Sequence, residues 1–496
     1  VNDIIFNKGQ GGLGRPLPGE DHISGMLFFL ADGNLPTGFL TTDRVKKVFS
    51  IAQAEALGIT FDHIGATQAF DIVTMNTAGA EGDTIAFVFN GVTLGAITVS
   101  ASPTAGDNAS DMVDAINALT YTTGFEAVLD GTDVVVLAPL GTGATYNGEE
   151  VTFVITGTPT MNNVAFTGGV GSYMDLLWYQ VNEYFRIQPK GVLYIGIYEP
   201  AVTFTTEIVA IQTYANGEIR QMGVYVTATD FSTTHVSAMQ SQANALAAVH
   251  KPLNIIYGAN TTDWGTITDL PTLRTLDCPN VSVVVGMDGA AVGNDLYLAT
   301  GKSVPCLGTT LGAVSLSKVM ENIGWVAKFN VSTTEFATIK FSNGNLYTSI
   351  PDSGLNSLDI YGYIFLRKHI GIAGAYFNDS STAIVTTSDY AYIENNRTID
   401  KAIRNIRTNV LPQLNSPITV NADGTLTNDV IAYFQELAGS ATEQMAKDGE
   451  LSAQQVIIDP TQDVLTSSTL IITVVLVPVG VARHIVINIG FTTSIA

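Results

Sequence analysis

Apolar positions change spacing several times along the chain, and each change marks a different kind of element. Residues 44–57 carry apolar side chains at helical spacing and run into Gly58, which predicts an amphipathic helix. Residues 173–186 predict another. Val192–Tyr198 follows as an unbroken apolar run, the pattern of a strand covered on both faces. Further strand-type runs fall at 221–227, 253–257 and 281–286, with helical patterns between them, clearest at 235–250. Residues 316–328 predict a second helical stretch, and more strands follow toward Tyr392. Strands alternating with helices argue for a layered, mainly parallel α/β sheet.

The last hundred residues read differently. Helical spacing covers 395–410, stopped by Pro412, and 428–448, ending at Gly449. The β-branched runs 470–477 and 481–489, separated by Pro478 and Gly480, predict a terminal hairpin or pair of strands. At the other end Ile4, Ile5 and Phe6 form a short strand candidate. Gly9, Gly11, Gly12 and Gly14 follow it as a hinge. Apolar strand-prone segments of this kind need a neighbouring edge, from the same domain or from another subunit.

Charge sets one stretch apart. Residues 66–172 contain no Lys, Arg or His and eleven acids, so they carry −11 of the chain's −23. Within them Thr84–Phe89 and residues 92–99 flank Asn90-Gly91, a type I′ hairpin pattern, and 125–129 and 134–137 flank Asp130-Gly131 in the same way. Ser110 is placed to cap a short helix carrying Met112, Val113, Ile116 and Leu119. The stretch reads as a separately folding, β-rich, solvent-facing insert. A glycan ligand for it is left open.

At 496 residues the chain should form two to four domains. With 46% apolar and 14% charged residues it can bury large cores and still pack a weakly charged surface against other chains. Its acidity argues against direct nucleic-acid binding. Cys278 and Cys306 make no metal or disulfide pattern. Val1-Asn2-Asp3 lacks the features of a signal peptide. The most apolar run, 470–482, is shorter than the roughly 20 residues a membrane helix needs and contains Pro478, so no membrane insertion is expected.

Candidate chemistry is sparse. Gly301-Lys302-Ser303 resembles the end of a phosphate loop, but Leu296 stands where the first glycine belongs and Pro305 where a helix should start. Gly9–Gly14 lacks the dinucleotide spacing. His22, His63, His235, His250, His369 and His484 are scattered, with no four-residue pair. Asp459 and Asp463 flank a proline turn, which is a weak sign of acid/base chemistry. No catalytic residue, metal site or cofactor is predicted. One cluster stands out: Arg397, Lys401 and Arg404 share a helix face, with Arg407 on its shoulder. Like charges so spaced repel by roughly a few tenths of a kcal/mol per pair, which an acidic partner surface would relieve.

Several segments resemble the contractile tail sheath family. They are Gly374-Ala-Tyr-Phe-Asn-Asp379, Thr386-Thr-Ser-Asp-Tyr-Ala-Tyr-Ile-Glu-Asn-Asn-Arg-Thr-Ile-Asp-Lys-Ala402, Gly449-Glu-Leu-Ser, Ile458-Asp-Pro, Leu476-Val-Pro-Val-Gly and Ile487-Asn-Ile-Gly-Phe491. Glu55-Ala-Leu-Gly58 and Trp178-Tyr-Gln-Val-Asn-Glu-Tyr-Phe185 look like family segments that the insert separates. The resemblance is to the sheath-like group of phages and prophages of Bacteroidetes-type hosts. It covers most of the chain outside 66–172 and is strongest from 355 to 491.

The resemblance implies an α+β or α/β multidomain fold, with a sheath-like layered α/β core, a C-terminal domain of a helix pair plus strands, and the inserted β-rich module. The implied divisions are an arm over 1–20, a core over 21–65 and 173–392, the insert over 66–172, a tube-facing domain over 393–484 and an arm over 485–496. It further implies a six-fold helical homo-polymer around an inner tail tube, meeting baseplate and tail terminator proteins. Such a polymer is assembled in the bacterial host cytoplasm into a virion tail, and contracts to drive the tube through a target envelope. Arg397, Lys401, Arg404 and Arg407 would then face the tube. Ile4, Ile5, Phe6, Ile485, Ile487, Ile489 and Phe491 would add strands to neighbouring subunits, with Gly9, Gly11, Gly12 and Gly14 as the hinge. The alternatives are another tail, baseplate or adhesin protein, or an α/β enzyme.

Overall fold

The computed structural model describes residues 20–200, 205–226 and 229–491. Its centre is the strand Ile23–Phe29, buried along its whole length. The apolar spacing does not announce this strand, because Ser24 and Gly25 interrupt the run. It lies in a seven-stranded sheet ordered Tyr363–Ile364, Val281–Val284, Asn254–Gly258, Gln221–Tyr225, Ile23–Phe29, Val192–Tyr198, Val45–Val48. The first six strands are parallel and the last is antiparallel.

Alternation along each strand splits the core into two layers. Met26, Phe28, Leu193, Ile195 and Ile197 point into one, beneath the helices Tyr173–Ile187 and Leu307–Leu316. Leu27, Phe29, Val192 and Tyr194 point into the other, beneath Thr205–Tyr214 and Thr233–Ala248. A parallel sheet needs both faces covered, and the crossover helices cover them. Gly308 and Gly312 let two helices approach closely: a Cβ on Gly308 would lie 2.0 Å from the Gln180 carbonyl oxygen, and one on Gly312 would lie 2.9 Å from that of Tyr184.

Two expected helices differ. The stretch 44–57 divides into the edge strand Val45–Val48 and a short helix, Ile51–Ala56, because Val45 and Val48 are buried at the sheet and the Ser50 hydroxyl caps the helix by accepting from the Gln53 N–H at 3.3 Å. No helix forms over 317–328. The helix of that region is Leu307–Leu316, in which nearly every side chain is buried, so no polar face marks it in sequence.

Residues 67 and 170 pair backbone to backbone, at 2.9 and 3.1 Å, and between them lies a compact antiparallel unit. It has a four-stranded sheet (Glu126–Asp130, Asp133–Leu137, Phe70–Thr77, Thr160–Thr167) and a three-stranded one (Val92–Thr98, Thr84–Phe89, Thr152–Thr156). Val73, Phe87, Met112 and Phe166 are among the side chains of their shared core. Asn90 and Gly91 both have positive φ, as a type I′ turn requires. In the second hairpin Asp130 pairs with Asp133, so the turn is Gly131-Thr132, one residue later than expected, and Gly131 alone has positive φ there. The helix runs from Ala105 to Ala118 and is capped by Thr104, not Ser110. Thr104 and Asp107 form a reciprocal capping box that fixes the earlier start.

The C-terminal region packs the helix Ile393–Val410 against Asn428–Lys447, and the second helix against a two-stranded sheet of Leu451–Ile457 and Thr473–Pro478. The partner of Thr473–Pro478 is thus an earlier strand, not the run 481–489, which forms no strand among the described residues.

Candidate assembly surface

The helix Ile393–Val410 lies against the N-terminal end of the central sheet. The Asn254 side-chain amide donates to Asp400 Oδ2 at 3.0 Å, and the basic residues reach Asp21, two residues before the first strand. The expected free cationic stripe is not what the structure shows. Arg397 is 3% exposed, donating to the Ser317 hydroxyl at 2.7 Å and to the Asp21 carbonyl at 3.2 Å. Lys401 bridges Asp21 at 2.8 Å and Glu450 at 2.6 Å, and Arg404 meets Asp21 at 2.7 Å. The repulsion inferred from sequence is therefore relieved by acids of the same chain. Arg407 is exposed and has no ion pair among the described residues.

Burial and charge compete in this cluster. Burial lowers the affinity of the Arg397 guanidinium for its proton to about 10, against the attraction of Asp21. Burial alone would raise the Asp21 carboxyl, but the Lys401 hydrogen bond and the charges of Lys401, Arg404 and Arg397 bring it below the usual carboxylate value. Asp400 goes the other way: burial raises it to about 6 despite Arg404 and the Asn254 hydrogen bond.

A second cluster holds the start of the C-terminal segment. Arg483 Nε lies 2.8 Å from Asp379 and its Nη2 2.5 Å from Glu394, while its guanidinium stacks 3.4 Å from the centre of the Tyr392 ring. Glu394 is 1% exposed and also accepts from the Ser380 hydroxyl. Asp379, Tyr392 and Glu394 all sit in the two segments that carry the strongest family resemblance, but sequence reasoning gave none of them a role. The missing signal was their common partner, Arg483.

Beyond Arg483 the chain leaves the body. Ile485, Val486, Ile487, Ile489 and Phe491 are 79–111% exposed, and they make no strand pairing among the described residues. The Leu451–Ile457/Thr473–Pro478 sheet leaves Ile457, Val475 and Val477 exposed on the face away from the helices. Ile4, Ile5, Phe6, Gly9, Gly11, Gly12 and Gly14 lie outside the described residues.

The sites discounted in sequence are structural parts. Gly301 is the left-handed cap of the helix Val292–Thr300, and the Ser303 hydroxyl donates to the Ser342 carbonyl. His63 pairs with buried Asp175 at 2.7 Å, at the neck of the insert. Asp459 accepts from the Thr461 N–H, and Asp463 caps Val464–Ser467. Among the described residues no group of three His, Cys, Asp or Glu is placed to hold a metal, and no helix is long and apolar enough to cross a membrane.

The class is thus a mixed α+β chain of several sheets, with twelve α-helices among the described residues. The chain belongs to the DUF2586 family: residues 1–381 match its N-terminal domain and 389–496 its C-terminal domain. No curated protein matches it in sequence. Among solved structures it is similar to the helical sheath of the anti-feeding prophage in its contracted state, at 16% identity over 64% of this chain and 81% of that one, with a TM-score of 0.45. It is similar to the contracted PVC sheath complex of an extracellular contractile injection system at 15% identity, over 64% and 81%, with a TM-score of 0.42. A sheath tail protein from Desulfitobacterium hafniense matches at 11% identity over 96% and 100%, with a TM-score of 0.36.

Proposed function

We propose that the chain is the structural subunit of a contractile tail sheath, which polymerises as stacked six-fold rings around an inner tail tube and contracts to push that tube through a target envelope. The observation that carries the reading is the apolar segment Ile485, Val486, Ile487, Ile489 and Phe491, 79–111% exposed in the isolated chain. Burying each such side chain is worth roughly 1.5–3 kcal/mol. A two-stranded sheet is marginal by itself and gains from a third strand. In the proposal, residues 485–491 of one copy supply that strand to the Leu451–Ile457/Thr473–Pro478 sheet of the next. The sequence resemblance to sheath proteins between 355 and 491 supports the same reading.

On this reading the partners are further copies of the chain, the inner tube, and the baseplate and terminator proteins at the two ends. The insert faces outward and the residues before Glu20 form a second arm with its glycine hinge. Contraction draws on the energy difference between two lattices and requires no catalysis by the subunit. Of the four basic residues proposed for the tube, Arg407 is exposed and makes no ion pair among the described residues, whereas Arg397 is buried on neutral acceptors and Lys401 and Arg404 are paired. The test is negative-stain microscopy of the purified chain and of a variant lacking 485–496. Helical tubes from the first and folded, unpolymerised protein from the second are expected. Normal tubes from the truncated chain would refute strand addition by this segment.

A further inference from the structure

The insert leaves one sheet face without a partner. In its four-stranded sheet, register sets Val128, Val135, Ile72 and Val164 in one row across all four strands. The next row carries Leu137 and Phe70 between Glu126 and Thr167. Val128, Val135 and Ile72 alternate with Ala127, Val134, Val136 and Val73, which fill the insert's core, so the row stands on the opposite face. Val128 and Val164, on the two edge strands, are 54% and 58% exposed. The solvated face of an antiparallel sheet is ordinarily polar. Here an apolar strip crosses it, about 14 Å from first strand to last. Glu126 and Asp130 border the strip on its outermost strand, and Asp133 stands opposite Asp130. With no Lys, Arg or His between 66 and 172, nothing in the insert balances them.

A hairpin of the body has the complementary make-up. Leu366–His369 pairs with Ile372–Phe377, and the turn between them exposes Ile370 fully, with Ile372 exposed beside it. Arg367 and Lys368 are exposed and make no ion pair among the described residues. Lys368 donates only to the Ala337 carbonyl. The two surfaces also share one end of the molecule. The hairpin follows the parallel strand Tyr363–Ile364 directly, at the strands' C-terminal end. The insert returns to the body at Ser172, which caps the helix Tyr173–Ile187; that helix runs back to the start of Val192–Tyr198, so its own start lies at the same end. Copies set side by side in one orientation therefore carry hairpin and insert at one level.

We propose that the hairpin of one copy docks on the apolar sheet face of a second copy's insert, with Ile370 and Ile372 on the row of Val128, Val135, Ile72 and Val164 and with Arg367 beside Glu126 and Asp130. Charge selects this occupant. Insert against insert would set −11 against −11 across an apolar strip, whereas the hairpin brings unpaired cations to unpaired acids. The contact is heterologous, since the two surfaces differ, so each copy can give one and receive one along a polymer. The strip is far smaller than the roughly 800 Å² per partner of a free-standing complex. The contact thus reinforces a polymer held by other surfaces, and a chain without its insert still assembles. It requires that copies of the chain meet, as the sheath reading has them do, but not that 485–491 adds a strand.

The test uses full-length chains carrying Ile370→Cys or Val164→Cys, mixed under assembly conditions and oxidised; the native Cys278 and Cys306 are buried. Val92→Cys, similarly exposed but on the insert's other sheet, replaces Val164→Cys as the control. Mixed disulfide dimers with Val164→Cys should exceed those with Val92→Cys by about tenfold and fall as salt is raised. Arg367→Glu in the Ile370→Cys chain should cut the yield by about tenfold, and Glu126→Lys with Asp130→Lys in the other chain should restore it. Equal yields at Val164 and Val92, or Val164→Cys joining to itself as readily as to Ile370→Cys, would overturn the contact. Microscopy of the same mixtures separates the two readings: tubes without the cross-link defeat this contact alone, and the cross-link without tubes defeats the sheath reading alone.

Discussion

Arg404 follows Asp21 by 383 residues, and its Nη2 lies 2.7 Å from Asp21 Oδ1. The contact ties the first strand of the central sheet to the helix that opens the C-terminal domain. Lys401 shares the same carboxylate and carries the connection on to Glu450, just before the strand Leu451–Ile457. One acid therefore holds a sheet, a helix pair and a hairpin in register.

Asp21→Asn should cost about 1–3 kcal/mol, since it leaves the partly buried Arg404 without its ion-pair partner and Lys401 with Glu450 alone. The folded carboxyl titrates below 3.8 and the unfolded one near it. The contribution is thus complete above the unfolded value and is lost as pH falls through the folded one. Urea unfolding at pH 7 and pH 3 should show a large difference between variant and parent at the first pH and a smaller one at the second. Equal stability of the two proteins at pH 7 would contradict the assignment.

Asp400 predicts the opposite slope. Burial raises its folded value to about 6, so between pH 4 and 6 the folded chain holds a proton that the unfolded chain has released. Stability from this group is full at low pH and declines as pH rises through that interval. Asp400→Asn should therefore be close to neutral below about pH 4 and increasingly more stable than the parent as pH rises through 6 toward 8. Its amide oxygen can still accept from Asn254. Melting temperatures of both proteins from pH 5 to 8 check it, and a gap that does not widen with pH counts against it.

The four basic residues separate cleanly by substitution. Arg404→Glu places a second acid beside Asp21 and should destabilise the isolated chain, so failed assembly of that variant says little about a tube. Arg407→Glu touches no ion pair among the described residues and should change stability by less than about 0.5 kcal/mol. It is the informative variant for tube contact. Co-assembly with the inner tube, weaker for Arg407→Glu at unchanged melting temperature, is the expected outcome.

What the sequence made legible is what short-range physics decides. Asn90-Gly91 fixes its hairpin because two adjacent residues take positive φ. Ile393–Val410 and Asn428–Lys447 are readable because each has one apolar face. Leu307–Leu316 was hidden because burial on every side removes the period, and Val45–Val48 because four residues are too few to outweigh the helical pattern around them. The basic helix was visible, but its environment was not. Nothing near residue 400 points to Asp21, and nothing near 483 points to Asp379 and Glu394, so a paired cluster read as a free one.

Excision of the insert tests the proposed division of the chain. The ends of the unit, Thr67 and Val170, are joined by two backbone hydrogen bonds, so a short linker can close the gap with little loop entropy. The neck contacts outside it remain: His63 with Asp175, and the Ser172 hydroxyl donating to the Ile64 carbonyl at 2.7 Å. A chain with 68–169 replaced by a Gly-Ser linker should fold, keep cooperative unfolding and form tubes. Loss of the central fold would show that the insert is not an independent unit.

The receiving sheet offers the most direct test of polymer formation. Along Thr473–Pro478, Leu476 packs inward while Val475 and Val477 stand 46% and 49% exposed on the opposite face. In the isolated chain that face meets water, so Val475→Lys with Val477→Lys should change the folding free energy by less than about 1 kcal/mol. On the proposed reading an incoming strand sets its apolar row laterally against Val475 and Val477 on this face, and lysines there would lose that apolar contact and place charge beside it. A folded chain of near-parental melting temperature that no longer forms tubes, even at concentrations tenfold above those the parent needs, is the expected result. If the double variant polymerises as readily as the parent, the neighbour's strand adds elsewhere, and the exposed row from Ile485 to Phe491 has a different receptor.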